Sequence, residues 1–346
     1  MPTMNFSSDN AYGAAPEIVQ AIAAAGTAPE PSYGEDQYTK RLSARLAEVF
    51  EHEVAVFPVS TGTAANALSL ATLCPPHGAV FCHAESHVVM DECAATEFLG
   101  GGLRLVALPG ARGKVTPLAI EAALPSFRRG VHSSLPSAVS LTQATEYGTV
   151  YTPEEVTAIG ATARKAGMAV HMDGARFANA LCHLGCRPAD ITWRAGVDVL
   201  CFGATKNGAC GAEAVIFFDR ARVRDFEYRR KRSGHLLSKM RFASAQLLAY
   251  LENDLWLRHA GAANALAAKM AAGLSGAPGV ELAQPVQANE IFAYLPEALA
   301  ARLRAEGAAF YDWEPPAAGR VLARLVTSFA TPEAAVTEFL ARARAA

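Results

Sequence analysis

The chain has 346 residues, 51% of them hydrophobic and 18% charged, which is enough apolar material for a substantial core and enough length for an enzyme. A net charge of -2, from 31 basic and 33 acidic side chains, gives no electrostatic argument for nucleic acid or an anionic membrane as a partner. No apolar run could span a bilayer and the N-terminus lacks a basic stretch followed by an apolar one, so a cytoplasmic protein without membrane contact is expected.

In chain order, a polar arm over residues 1–15 leads to a helix from Pro16 to Ala25, closed by Gly26. A second helix runs from Asp36 to Glu51. The period then changes: Val54 to Val59 reads as a short apolar strand, followed by Ser60-Thr61-Gly62-Thr63 and a helix to Leu73. Further strands are expected at Ala79–Cys82, Leu103–Leu108, Ala138–Gln143, Ala169–Met172, Val197–Phe202 and Ala214–Phe218. Between them, Thr152 caps a helix from Pro153 to Lys165 with Glu155 three residues on. Near-continuous apolar strands alternating with helices predict an α/β unit with a mostly parallel seven-stranded sheet covered on both faces. From Arg241 the pattern becomes a long helix to about Leu274, then strand, helix, strand and helix. We therefore expect a large domain over 16–240 and a small C-terminal α+β domain over 241–346.

The seven cysteines are odd in number and scattered, as reduced thiols would be. Cys182, His183 and Cys186 lie close together, but no second ligand pair stands at zinc spacing, so no metal is expected.

Three loops at expected strand ends carry chemistry. Lys206 lies in a small-residue loop, Gly203 to Gly211, between two apolar runs. Small neighbours allow a flat ligand to approach the backbone, and desolvation of the amine favours Schiff-base chemistry; the alternative is a surface hairpin lysine. Ser60-Thr61-Gly62-Thr63 at a helix start makes an anion cup sized for one phosphate, or else a capped turn. In His171-Met172-Asp173-Gly174-Ala175-Arg176, Asp173 could pair with a protonated ring nitrogen and Arg176 with a carboxylate, or the two could form a rim salt bridge. Phosphate anchor, carboxylate and amine together are what pyridoxal phosphate requires.

Those segments, with Ser8-Asp9, Tyr33-Gly34-Glu35-Asp36, His87, Thr205 and Ala323-Arg324-Leu325-Val326-Thr327, resemble the threonine aldolases, fold type I pyridoxal-phosphate enzymes of the beta-eliminating lyase group. The resemblance spans nearly the whole chain. It implies Lys206 as the lysine that carries the cofactor, Asp173 as the partner of its ring nitrogen, and Gly62, Thr63 and Thr205 around its phosphate. It implies further that His87 stacks on the ring, that Ser8, Arg176 and Arg324 hold the substrate carboxylate, and that Tyr33 reaches a neighbouring subunit's site in a homotetramer. The implied reaction is reversible cleavage of β-hydroxy-α-amino acids to glycine and an aldehyde. Other reactions on the same cofactor, such as β-elimination, and a non-catalytic binding protein on the same fold are the alternatives. One departure stands out: where many members have Thr-His-Asn-Gly, this chain has Thr145-Glu146-Tyr147-Gly148. Glu146 joins His87 and a water as a candidate base, or else is a solvated loop glutamate.

Overall fold

The computed structural model describes residues 4–345. Seven strands form the large sheet: β1 (Ala55–Val59), β2 (Gly78–His83), β3 (Arg104–Leu108), β4 (Leu135–Thr142), β5 (Ala169–Gly174), β6 (Val199–Gly203) and β7 (Glu213–Phe217). Their spatial order is β1-β7-β6-β5-β4-β2-β3, and every neighbouring pair is parallel except those of β7, which runs antiparallel to both β1 and β6. β1, β2, β6 and β7 are buried along their whole length, which is why they read as unbroken apolar runs rather than alternating ones. One face packs on Leu42, Leu46, Phe50, Phe177 and Trp256; the other packs on Leu68, Leu70, Leu73 and Phe226. Each such side chain contributes about 2 kcal/mol by leaving water, so both helical layers are held mainly by the sheet.

The helices start where their caps allow. Thr152 Oγ1 accepts from the Glu155 amide and Glu155 returns a bond to the Thr152 amide, fixing Pro153–Lys165. Asp36 caps Gln37–Phe50 by accepting from the Thr39 amide.

A second, antiparallel sheet is built on β8 (Glu290–Pro296) and β9 (Arg320–Val326), flanked by Glu281–Leu282 and Tyr311–Asp312. Its core contains Phe6, Met270, Leu274, Ile291, Leu325 and Phe339. The expected single helix from Arg241 to Leu274 is two, Arg241–Leu251 and Leu255–Leu274, because Asn253 and Asp254 adopt left-handed backbone angles between them. Leu247 and Leu251 of the first pack into the core of the large sheet, and Met270 and Leu274 of the second into the core of the small one. Among the described residues no helix is long and apolar enough to cross a membrane.

Candidate active site

Because β1, β2, β4, β5 and β6 point the same way, the loops that follow them converge at one end of the sheet, where ligands sit in open α/β folds. They enclose a cavity of about 370 Å³, and Gly62, Thr63, His87, Glu146, Asp173, Thr205 and Lys206 all line it. Those seven residues come from five separate loops.

Lys206 sits in a single turn of 3-10 helix, Thr205–Asn207, between β6 and β7. Asn207 anchors that turn by donating to Tyr250 Oη at 2.7 Å and to the Trp256 carbonyl at 2.8 Å, and Glu213 accepts from the Ala204 amide at 2.8 Å. Gly203 permits the approach to the Asp173 loop: a Cβ there would stand 2.7 Å from Ala175 Cα. Gly208 takes φ of +114°, a conformation that favours glycine. The amine is thus presented by a rigid turn, and the hairpin-surface alternative falls away.

Asp173 lies at the end of β5, almost fully buried. Its Oδ1 accepts from the Ala175 amide at 2.9 Å and its Oδ2 from Asn66 Nδ2 at 2.8 Å. Thr61 caps the helix Gly62–Leu73 through the Ala64 amide, leaving the Gly62 and Thr63 amides at the helix start without intrahelical partners. A Cβ on Gly62 would meet nothing within 4 Å, so the cup is open on the cavity side.

His87 begins a short helix after β2, and its Nδ1 donates to Glu92 Oε1 at 2.8 Å. That bond holds the imidazole above the ordinary histidine range, against the opposing effect of burial; Asp173 and Glu146 act in the same direction as Glu92, and Lys206 against it. Glu146 follows β4 in a turn closed by the Gly148 amide on the Thr145 carbonyl. It is buried, not solvated, and burial lifts its carboxyl above the usual range despite the nearby Lys206. Tyr147 points elsewhere, its ring packed against Phe292 and Trp313 at 5.5 and 6.0 Å.

The four residues expected to hold substrate or reach a neighbour are not in that cavity wall. Arg176 is buried and forked onto Asp9, with Nε 2.8 Å from Oδ2 and Nη2 3.1 Å from Oδ1; it also lies 3.3 Å from Glu290. Burial opposes its charge, but Asp9 and Glu290 more than offset that and hold the guanidinium firmly protonated. Arg324 on β9 donates to the other oxygen of Glu290 at 2.7 and 3.1 Å. Glu290 therefore bridges the two arginines. Ser8 caps a turn by accepting from the Asn10 amide, and it is Asn10 that faces the cavity. Tyr33 is half exposed, with Lys231 Nζ 4.7 Å from its ring centre.

Asn66, Glu92, Glu213 and Glu290 are site residues to which the sequence assigned no role. Glu92 is only five residues from His87 and Glu213 nine from Ala204, but no motif marked either pairing, and Asn66 and Glu290 meet their partners only through the fold. Among the described residues no group of three or more metal-ligating side chains occurs, and Cys182 donates to the Leu257 carbonyl.

A family model described as beta-eliminating lyase matches residues 5–298. The chain belongs to the beta-eliminating lyase family. Over 344 residues it is 44% identical to a low specificity L-threonine aldolase of Pseudomonas sp. strain NCIMB 10558, covering 99% of this chain and 98% of that one. Among solved structures it is similar to a threonine aldolase of Leishmania major, at a TM-score of 0.93 and 29% identity over 98% of both chains. An aspartate aminotransferase of Rhodobacter sphaeroides shares the fold at a TM-score of 0.70 and 19% identity, over 99% of this chain and 92% of that one. The fold is that of the fold type I pyridoxal-phosphate enzymes, and the cofactor of this lyase is pyridoxal phosphate. The cavity fits it: an open helix N-terminus for an anion, a buried carboxylate for a ring nitrogen and a lysine on a fixed turn stand on one surface.

Proposed function

We propose that this carbon–carbon lyase cleaves L-threonine, L-allo-threonine and related β-hydroxy-α-amino acids, phenylserine-like ones included, into glycine and an aldehyde, reversibly. The observation that carries the reading is the convergence of Lys206, Asp173, His87, Glu146 and the Gly62–Thr63 cup on a single cavity, in a chain 44% identical over nearly its full length to a relative of that name. Pyridoxal phosphate, when bound, supplies an aldehyde for the amine and a ring that takes up the electrons of the broken bond.

The chain's own residues do the rest. The Gly62 and Thr63 amides with Thr205 hold the phosphate. Asp173, already aligned by Asn66 and the Ala175 amide, accepts the ring N–H. Lys206 provides the amine that holds the cofactor and returns when product leaves. Ser8, Arg176 and Arg324 fix the substrate carboxylate, and Arg176 borders the cofactor site through the loop it shares with Asp173. Fixing the carboxylate turns the Cα–Cβ bond, rather than another bond to Cα, toward cleavage. The hydroxyl proton passes to His87, to Glu146 or to a water held by them. The protein works as a homotetramer in the cytoplasm, with Tyr33 placed at a neighbouring subunit's site.

Incubation of the holoenzyme with L-threonine tests the reading. Equimolar glycine and acetaldehyde are expected, whereas a keto acid plus ammonia would make it an eliminating enzyme instead. Sedimentation of the same sample tests the tetramer.

A further inference from the structure

Behind the cavity wall, against His87, stands a carboxylate that the proposed reaction does not use. Glu92 is almost completely buried behind His87, five residues along the chain. Its Oε1 accepts two bonds, from His87 Nδ1 and from Asn66 Nδ2, each 2.8 Å long. Its Oε2 is buried without a hydrogen-bond partner, as is Asn66 Oδ1. A carboxylate serving only the fold would be costly there, since burying an acid with one oxygen unsatisfied favours replacement by an apolar side chain. The same Asn66 nitrogen donates to Asp173 Oδ2, so the carboxylate behind the imidazole and the one meant for the ring nitrogen lie at most two hydrogen bonds apart.

Resting on the aldolase reading, we propose that Glu92 is a positioning residue that fixes His87 with its Nδ1–H turned inward and Nε2 turned to the cavity. The hydrogen bond selects the tautomer. In the neutral imidazole Nε2 is then an acceptor for the substrate hydroxyl proton, and once protonated it is a donor whose charge Glu92 balances. In cleavage the proton moves from the hydroxyl oxygen to Nε2, and in the reverse addition it returns from Nε2 to the aldehyde oxygen, so Glu92 neither gains nor loses one. The groups that face His87 are Glu92, Asp173 and Glu146 on one side of the charge balance and Lys206 on the other. Of these only Glu92 touches it, so Glu92 sets the ring's orientation while the others shift its charge.

The test reads the imidazole directly. In the enzyme freed of cofactor and labelled with 15N-histidine, with His87→Gln identifying the signal, wild-type His87 should show the Nδ1–H tautomer when neutral and titrate above free histidine. Glu92→Gln keeps an acceptor and removes the charge, so the tautomer should persist while the titration falls by about one pH unit or more. Glu92→Ala should lose the tautomer as well. In the holoenzyme Glu92→Gln should lower kcat about tenfold or more with KM within about twofold, moving the acid limb of the kcat profile by the same shift. An Nε2–H tautomer in the wild type, or an unchanged His87 titration in Glu92→Gln, overturns the proposal. The wild-type measurement stands even if no Glu92 variant folds. Because it is read without cofactor, it is also independent of the reaction: absence of glycine and aldehyde from wild-type enzyme would remove the aldolase reading alone.

Discussion

The lysine end of the site and the arginine end differ in what their charged groups already hold. At the lysine end, Lys206, the Gly62–Thr63 cup and Asp173 face open space, and their supporting bonds come from backbone amides and uncharged side chains such as Asn66 and Asn207. At the arginine end, Arg176 and Arg324 are occupied before any substrate arrives, by Asp9 and by the two oxygens of Glu290. The first region is prepared to receive charge. The second is already neutralised from within the fold, its two guanidinium groups sharing an acid that is fully buried between them.

The largest expected effect lies at the lysine end. Lys206→Ala should reduce turnover at least ~10³-fold while leaving thermal stability near wild type, read by glycine release and by unfolding. Retained turnover without added amine would break the contrast at its root. Glu290→Gln addresses the other end: it leaves two buried guanidinium groups with less compensation, and should cost about 3 kcal/mol in denaturant unfolding. A variant as stable as wild type would mean that Asp9 alone balances Arg176.

Glu213 sharpens the comparison, since it is an acid at the lysine end. Burial pushes its carboxyl up to about 7 from an ordinary value of 4.5. Between those pH values the folded protein keeps a proton that the unfolded chain has released. The favourable contribution is full below the unfolded value and is lost as pH rises through about 7. Glu213→Gln should abolish that loss, gaining up to about 3 kcal/mol over wild type near neutrality. Equal pH dependence of unfolding in the two proteins would place the ionisation elsewhere. The smallest effect is a control outside both ends: Thr152→Ala should lose about 1 kcal/mol of stability through its helix cap and leave KM unchanged.

Legibility in the sequence followed range along the chain. Pro153–Lys165 appeared with its cap because Thr152 and Glu155 are three residues apart, and the strand cores appeared because two-sided burial demands continuous apolar runs. Lys206, Asp173 and the cup were visible because strand-end loops in this architecture must converge. Glu290 and Asp9 were not, since their arginine partners lie on other elements: Asp9 is 167 residues from Arg176, and Glu290 is 34 from Arg324. Glu146 was seen but not its burial, which depends on how the turn from Thr145 to Gly148 packs against Glu290. The helix break at Asn253 and Asp254 escaped because neither residue is a glycine or proline.

Residues 4–9 cross from one half of the molecule to the other. Met4 and Asn5 pair with Ala308 and Ala309, Phe6 is packed on Phe339, and Asp9 then clasps Arg176 beside the large sheet. This short segment ties the small sheet to Arg176 through Asp9, alongside the direct approach of Glu290 on the small sheet to the same arginine. A cut between Phe6 and Asp9 would remove the covalent part of that tie and leave the small sheet joined to Arg176 by Glu290 directly and by Asn289 through Asp9.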